Sequence, residues 1–148
     1  MSDAVRAVIS ARPDEVAVGE VSLAPLAADQ VLIRTLHSGV STGTDKWVLQ
    51  GKFTWGNAQY PLRPGYQTVG VIEELGADVT AFVIGQIVAA TTSVGLEGVY
   101  PFWGAHIERA ASAQGSVYPA DGIDPRAASL FVSAQVGYNA ASRVTGSP

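Results

Sequence analysis

Two stretches hold the residue types that could do chemistry, PLRPGYQTVG at 61–70 and GVSTGTD at 39–45. In the first, Pro64-Gly65 turns the chain sharply, so Tyr66 and Gln67 stand where a strand begins. Residues there are held on a firm frame yet face a cleft. The position suits chemistry, although a phenol and a carboxamide name no single reaction. In the second stretch, Ser41, Thr42 and Thr44 supply hydroxyls, which also have an ordinary use in satisfying a turn's backbone. Asp45 is expected to cap a short helix rather than to act as a base. Aromatic residues gather nearby: Trp47, Phe53, Trp55 and Tyr60 sit in or beside the loop before Tyr66, and Phe102 and Trp103 lie on another loop.

The absences are as informative. The chain has no cysteine, which excludes disulfides, thiolate metal sites and cysteine nucleophiles together and fits a reducing compartment. Its two histidines, His37 and His106, are both expected in strands. Without a thiolate or a placed carboxylate they are thin support for a metal, and they read as polar residues on strand faces. A formal charge of −4 with nine scattered Lys and Arg residues leaves no basic stripe for a nucleic acid. The N-terminus lacks the basic and apolar regions of a signal peptide. No apolar run approaches the roughly 18–20 residues of a membrane span. A cytoplasmic location is therefore expected, with no membrane partner.

The elements that must position these residues are mostly strands. Apolar residues make up 47% of the 148, enough to bury the core of one ordinary domain. Residues 4–10 are short and β-branched, and Arg12-Pro13-Asp14 makes a turn. Residues 15–23 alternate valine with polar or small residues, predicting a half-buried strand. Residues 30–40 predict another, with Val31, Ile33 and Thr35 on one face and Leu32, Arg34 and Leu36 on the other. Residues 43–51 predict a short helix and 52–64 a loop. Strands are predicted over 66–75, 85–91 and 103–111, with a loop over 93–101 and an extended piece at 117–119. Asp124-Pro125 is a helix start, an N-cap followed by proline at the first helical position. Helix is predicted from there to residue 144, split by Gly137.

The run GYQTVGVIEELGADVTAFVIGQIVAA (65–90) resembles the catalytic domain of the medium-chain dehydrogenase/reductase superfamily, which is alcohol dehydrogenase-like and has the GroES-like fold. Gly65, Gly70, Val71, Gly76, Val79, Gly85 and Val88 fall at points matching the family's G-H-E-x-x-G-x-V-x-x-x-G-x-x-V and later G-D-x-V pattern. HSGVSTGTDKWVLQGKF is similar to the family's G-[VI]-C-x-[ST]-D segment. WGAHIERAA is similar to its G-x-[YF]-A-E-Y strand, and AASLFVSAQVGYNAA to the helix leading into the nucleotide domain. The resemblance covers nearly the whole chain. It implies a mainly β, partly open GroES-like barrel with short helices and a C-terminal helical segment. Residues 1–148 then form the catalytic domain, with 124–148 the lead-in to a Rossmann domain. Gly76 is expected to give the turn between strands a positive φ, and Gly70 to let its strand bend.

Zinc-dependent members hold the metal with Cys, His and a second Cys or Asp, whereas a catalytic zinc needs three such ligands. Carried over, the first Cys falls on Ser41, the His on Tyr66, its neighbouring Glu on Gln67, and the late Cys near Val132. Those types do not assemble a zinc site, and no metal is expected. Polarising a carbonyl or activated double bond then falls to hydrogen-bond donors. The resemblance makes Tyr66 and Ser41 the catalytic candidates. Gln67, Thr44, Trp47, Trp55 and Trp103 would contact substrate, and Thr42, Gly43 and Val136 would touch the cofactor. The aromatic cluster implies a flat or hydrophobic small molecule such as an enone, quinone or macrocycle.

No G-x-G-x-x-G opens a helix after a strand, and no acidic residue stands about 20 positions beyond one. The chain is therefore expected to be the catalytic half alone, with NAD(P)H bound only by the full-length protein. Turnover by the fragment is not expected. The surface a missing Rossmann domain would cover also offers a route to a homo-oligomer. The other reading is a non-catalytic binding or scaffolding module on the same fold.

Overall fold

A computed structural model describes residues 4–53 and 58–144. In chain order the elements are β1 (Ala4–Arg12), β2 (Glu15–Ser22), β3 (Gln30–Ser38), α1 (Thr44–Leu49), β4 (Leu62–Arg63), β5 (Thr68–Leu75), β6 (Ile87–Ala90), β7 (Tyr100–Pro101), β8 (Arg109–Ala113), β9 (Val117–Pro119), α2 (Pro125–Ala128) and α3 (Phe131–Val144). The expected mainly β fold with short helices and a C-terminal helix is observed. Its strands form two sheets instead of one continuous barrel ladder, in the orders β2-β1-β4-β7 and β8-β3-β5-β6-β9. Isolated bridges pair Ala7 of β1 with Ile107, just ahead of β8, and Ala111 of β8 with Val94. No helix among the described residues is long and apolar enough to cross a membrane.

The five-stranded sheet is covered on both faces, which explains its run-on apolar sequence. Val31, Ile33, Ile72, Val88 and Val117 pack with Val79 and Phe82 on one face. Val69 and Ala89 meet Ala120 and Ala128 on the other. The alternation expected in β3 therefore fails, since Val31, Leu32 and Ile33 are all buried. Two register shifts against β5 break its period. Gly70 faces Thr35 beside one shift, and a Cβ there would stand 2.3 Å from Arg34 O. Gly76 corrects its expectation. It does not take a positive φ; it is needed because a Cβ would stand 2.2 Å from Ala27 O and 2.4 Å from Ala28 O.

The expected half-buried strand over 15–23 is an edge strand with Val16 and Val18 exposed, since β2 lies outermost in its sheet. The loop expected over 52–64 contains the buried β4, and that over 93–101 contains β7. The strand expected over 103–111 begins only at Arg109. Trp103 and Gly104 take left-handed backbones, φ +60° and +76°, which no strand accommodates. The helical segment breaks earlier than Gly137, which lies inside α3. The break falls at Ser129-Leu130, where Ser129 Oγ bonds back to Arg126 O at 2.8 Å and closes α2. Asp124 caps α2 as read, its Oδ1 accepting from Arg126 N and Ala127 N, each at 3.0 Å.

Candidate substrate cleft

The segment before α1 folds on its own polar groups. Ser41 Oγ accepts from Thr44 N at 3.1 Å, and Asp45 Oδ2 accepts from Ser41 N at 2.7 Å. These two bonds close the turn that leads into α1, whose N-cap residue is Gly43 with no side-chain cap, so Asp45 holds the Ser41 amide and is not the expected cap. This start fixes the helix so that Val48 is buried while Trp47 is 55% exposed. Thr44 and Trp47 then look outward, toward the turn that carries Tyr66.

That turn is set by Gly65, at φ +96°. A Cβ at Gly65 would stand 2.8 Å from the His106 ring, so the backbone lies against the imidazole. Tyr66 and Gln67 lead from this turn into β5, which begins at Thr68 and not at Tyr66 as expected. Tyr66 faces the cleft, and Gln67 points inward and is wholly buried. Gln67 Nε2 donates to Ser133 Oγ at 3.2 Å, and its Oε1 accepts from Ser133 N at 3.3 Å. The structure thus corrects its expected place against substrate: Gln67 ties the entry of β5 to α3.

Tyr66, Thr44, Trp47, Trp103, Gly43 and Val136 meet around one cleft of about 620 Å³. Phe53 and Val132 complete its apolar walls, and Thr91 and Thr92 add hydroxyls from the end of β6. Trp103 stands edge-on to Tyr66, ring centres 5.7 Å apart at 77°, and to Phe53, 5.6 Å apart at 83°. Tyr66 is the one ionisable side chain on the described walls. Such a site, apolar with a few hydroxyl donors, holds a small hydrophobic molecule and hydrogen-bonds its polar end.

Ser41 and Thr42 do not join this cleft. They line a second one of about 740 Å³, beside Arg6, Val16, Val18 and His106. Trp55 lies outside the described residues. His37 is exposed on β3. His106, expected in a strand, is buried in irregular chain, its Nδ1 3.0 Å from Ser38 Oγ and its Nε2 3.5 Å from Asp45 Oδ2. Sequence reasoning passed over Thr91 and Thr92, although a hydroxyl pair directly after an apolar strand marks a strand end facing a cleft. It also passed over Arg63 and Ser93, which lie behind Trp103 and left no signal.

Zinc does not fit the donors assembled here. The position of the family's His carries a phenol, that of the late Cys carries Val132, and the first falls on Ser41 in the other cleft. Among the described residues no three His, Cys, Asp or Glu side chains stand close enough to share a metal.

Comparison with known proteins bears on the family and the fold. The sequence pattern of the family described as "Alcohol dehydrogenase GroES-like domain" matches residues 27–120. A probable cinnamyl alcohol dehydrogenase 8B of Oryza sativa subsp. japonica is 43% identical over 67 residues, which are 45% of this chain and 15% of that protein. The matched stretch is thus a small part of that relative's length. Human synaptic vesicle membrane protein VAT-1 homolog-like protein superposes with a TM-score of 0.73 at 24% identity, over 86% of this chain and 39% of its own. A CAD from Helicobacter pylori complexed with NADP(H) superposes with a TM-score of 0.67 at 19% identity, over 82% of this chain and 42% of its own.

Proposed function

Because the chain belongs to the alcohol dehydrogenase GroES-like domain family, we propose that it is the substrate-binding half of a zinc-independent NAD(P)-dependent oxidoreductase acting on a carbonyl or a conjugated double bond. The observation that carries this reading is the cleft itself. One phenol and three threonine hydroxyls stand among aromatic and valine walls, and among the described residues no carboxylate or imidazole joins them. A relative named for cinnamyl alcohol and a related fold holding NADP(H) support the reaction class.

The division of work follows from the residues. Trp103, Trp47 and Phe53 pack the flat apolar body of the substrate. The Tyr66 phenol donates a hydrogen bond to the substrate oxygen as negative charge grows there, and Thr44 orients that oxygen from the side. Val132 and Val136 keep water from the reacting end. Gly43 leaves the mouth open, since nothing lies within 4 Å of where its Cβ would stand. Gly43 and Val136 would be the residues that hold a nicotinamide ring, which would supply the hydride. The sequence has no glycine-rich phosphate turn, so we place dinucleotide binding outside these residues and expect no turnover from this chain alone. Within a cell the reading places the protein in the cytoplasm.

The test is calorimetric titration of the chain with trans-cinnamaldehyde, comparing wild type with Tyr66→Phe. Losing the one donor phenol is expected to weaken binding about tenfold, as a lost hydrogen bond to a polar end does. Equal affinities for the two proteins would remove Tyr66 from the site. Stoichiometric zinc by elemental analysis would overturn the zinc-independent reading.

A further inference from the structure

The aromatic cleft owes one wall to a backbone that a bulky residue rarely adopts. Trp103 sits at φ +60° with Gly104 following at +76°. Left-handed backbone at a large side chain persists only where surrounding contacts over-determine it, and such points cluster at ligand sites. The contacts are in view. Ser93 N donates to Trp103 O at 2.8 Å, and Ser93 Oγ donates to Gly104 O at 2.6 Å. Ser93 Oγ accepts in turn from Arg63 Nη2 at 2.8 Å. Arg63 is wholly buried, and its Nε and Nη1 have no hydrogen-bond partner among the described residues. A Cβ at Gly104 would stand 2.3 Å from Arg63 Nη2. The guanidinium therefore fills the space under the 103–104 reversal and braces it from behind.

We propose that Arg63 and Ser93 are positioning residues that lock the Trp103 indole in place, so that the cleft selects flat conjugated ligands over flexible saturated ones of the same length. This rests on reading the cleft as the substrate site. Neither residue lines the cleft, so both act through Trp103. The locked indole meets Tyr66 and Phe53 at near right angles and makes a rigid corner. A flat molecule covers one ring face and presents its edge to the other without losing internal freedom. A saturated chain reaches the same contacts only by freezing its rotors. An indole free to swing would erase that difference.

The experiment uses the chain with Trp47 and Trp55 replaced by phenylalanine, so that Trp103 alone emits. Into it go Ser93→Ala, Arg63→Met and Ser93→Thr, with far-UV circular dichroism confirming the fold of each. The first measurement is acrylamide quenching of Trp103. The quenching constant is expected to rise about threefold in S93A and R63M, as a packed side chain gains motion, and to stay at the parent value in S93T, which keeps the hydroxyl. The second is the affinity ratio of trans-cinnamaldehyde to 3-phenylpropanal by calorimetry. That ratio is expected to fall about fivefold in S93A and R63M and to recover in S93T.

Unchanged quenching in the folded variants overturns the lock. Raised quenching with an unchanged ratio overturns the link to selection. A parent that binds neither aldehyde overturns the reading of the cleft and with it the selection, while quenching still decides whether the lock exists. If S93A does not fold, R63M keeps the comparison open, because methionine fills similar space without the charge.

Discussion

Replacing Arg63 with methionine is expected to make the protein more stable, although it removes two hydrogen bonds. Arg63 is 0% exposed, and burial alone lowers its pKa to about 10. Set against the higher value of an ordinary arginine, at 1.36 kcal/mol per pH unit, the folded state carries about 3 kcal/mol for keeping this charge. The described residues place no carboxylate against it to offset that cost. The sign follows from linkage. At neutral pH both folded and unfolded chains hold the proton, and the penalty stands in full. As pH rises through about 10, the folded guanidinium gives up its proton before the unfolded one does. Stability contributed by this group therefore increases from there up to the unfolded value.

Methionine removes the penalty at every pH but loses the bonds to Ser93 Oγ at 2.8 Å and Ser93 O at 3.4 Å. The second is long, so the two together are worth about 2 kcal/mol. The net expectation is about 1 kcal/mol of stabilisation. Urea unfolding at pH 7 followed by far-UV circular dichroism measures it, read as a midpoint shift at constant slope. The alkaline rise should also be absent from the variant, so that its advantage over wild type narrows as pH climbs above about 10. A loss of more than about 2 kcal/mol would refute the reasoning, because the guanidinium would then make contacts that exceed its desolvation cost. A gain in stability beside loosened Trp103 would mean that the protein keeps a costly charge for the shape of its cleft.

Other perturbations test the frame. At position 103, glycine is expected to be more stable than alanine by about 1 kcal/mol, because both lack the indole and only glycine accepts φ +60° freely; equal urea midpoints would place the strain elsewhere. Gly76→Ala is expected to cost about 3 kcal/mol, since its methyl would strike the backbone oxygens of Ala27 and Ala28; a thermal midpoint within a degree or so of wild type would show that the segment yields. Asp124→Ala is expected to cost about 1 kcal/mol, leaving the amides of Arg126 and Ala127 without their acceptor; urea unfolding checks it, and Asp124→Asn should restore most of the loss.

Much of the frame was legible in the residues because its signals are local. The proline and aspartate that start α2, the glycine turn at Gly65, and the β-branched runs of β1, β3 and β5 each state their own conformation. What misled was context from outside the segment. The alternation read in β3 failed because chain from elsewhere covers both faces of its sheet. Gly76 was correctly marked as required, but for the wrong reason: its need comes from the Ala27 and Ala28 oxygens, nearly fifty residues away, and not from its own torsion. Gln67 stands next to Tyr66 in sequence, yet it is buried against Ser133 while Tyr66 lines the cleft, a split decided by contacts with α3 that no local pattern announces.

The sequence by itself determined the family and the mainly β class, because both depend on residue types and spacings that are written in the chain. Only the tertiary structure decided which candidates meet. It brought Tyr66, Thr44, Trp47, Trp103, Gly43 and Val136 to one cleft and sent Ser41 and Thr42 to another. It also set Arg63 and Ser93, thirty positions apart, behind the same tryptophan. Long-range packing makes those choices. Their energy lies in contacts between distant segments, so they leave no trace in any one stretch of chain.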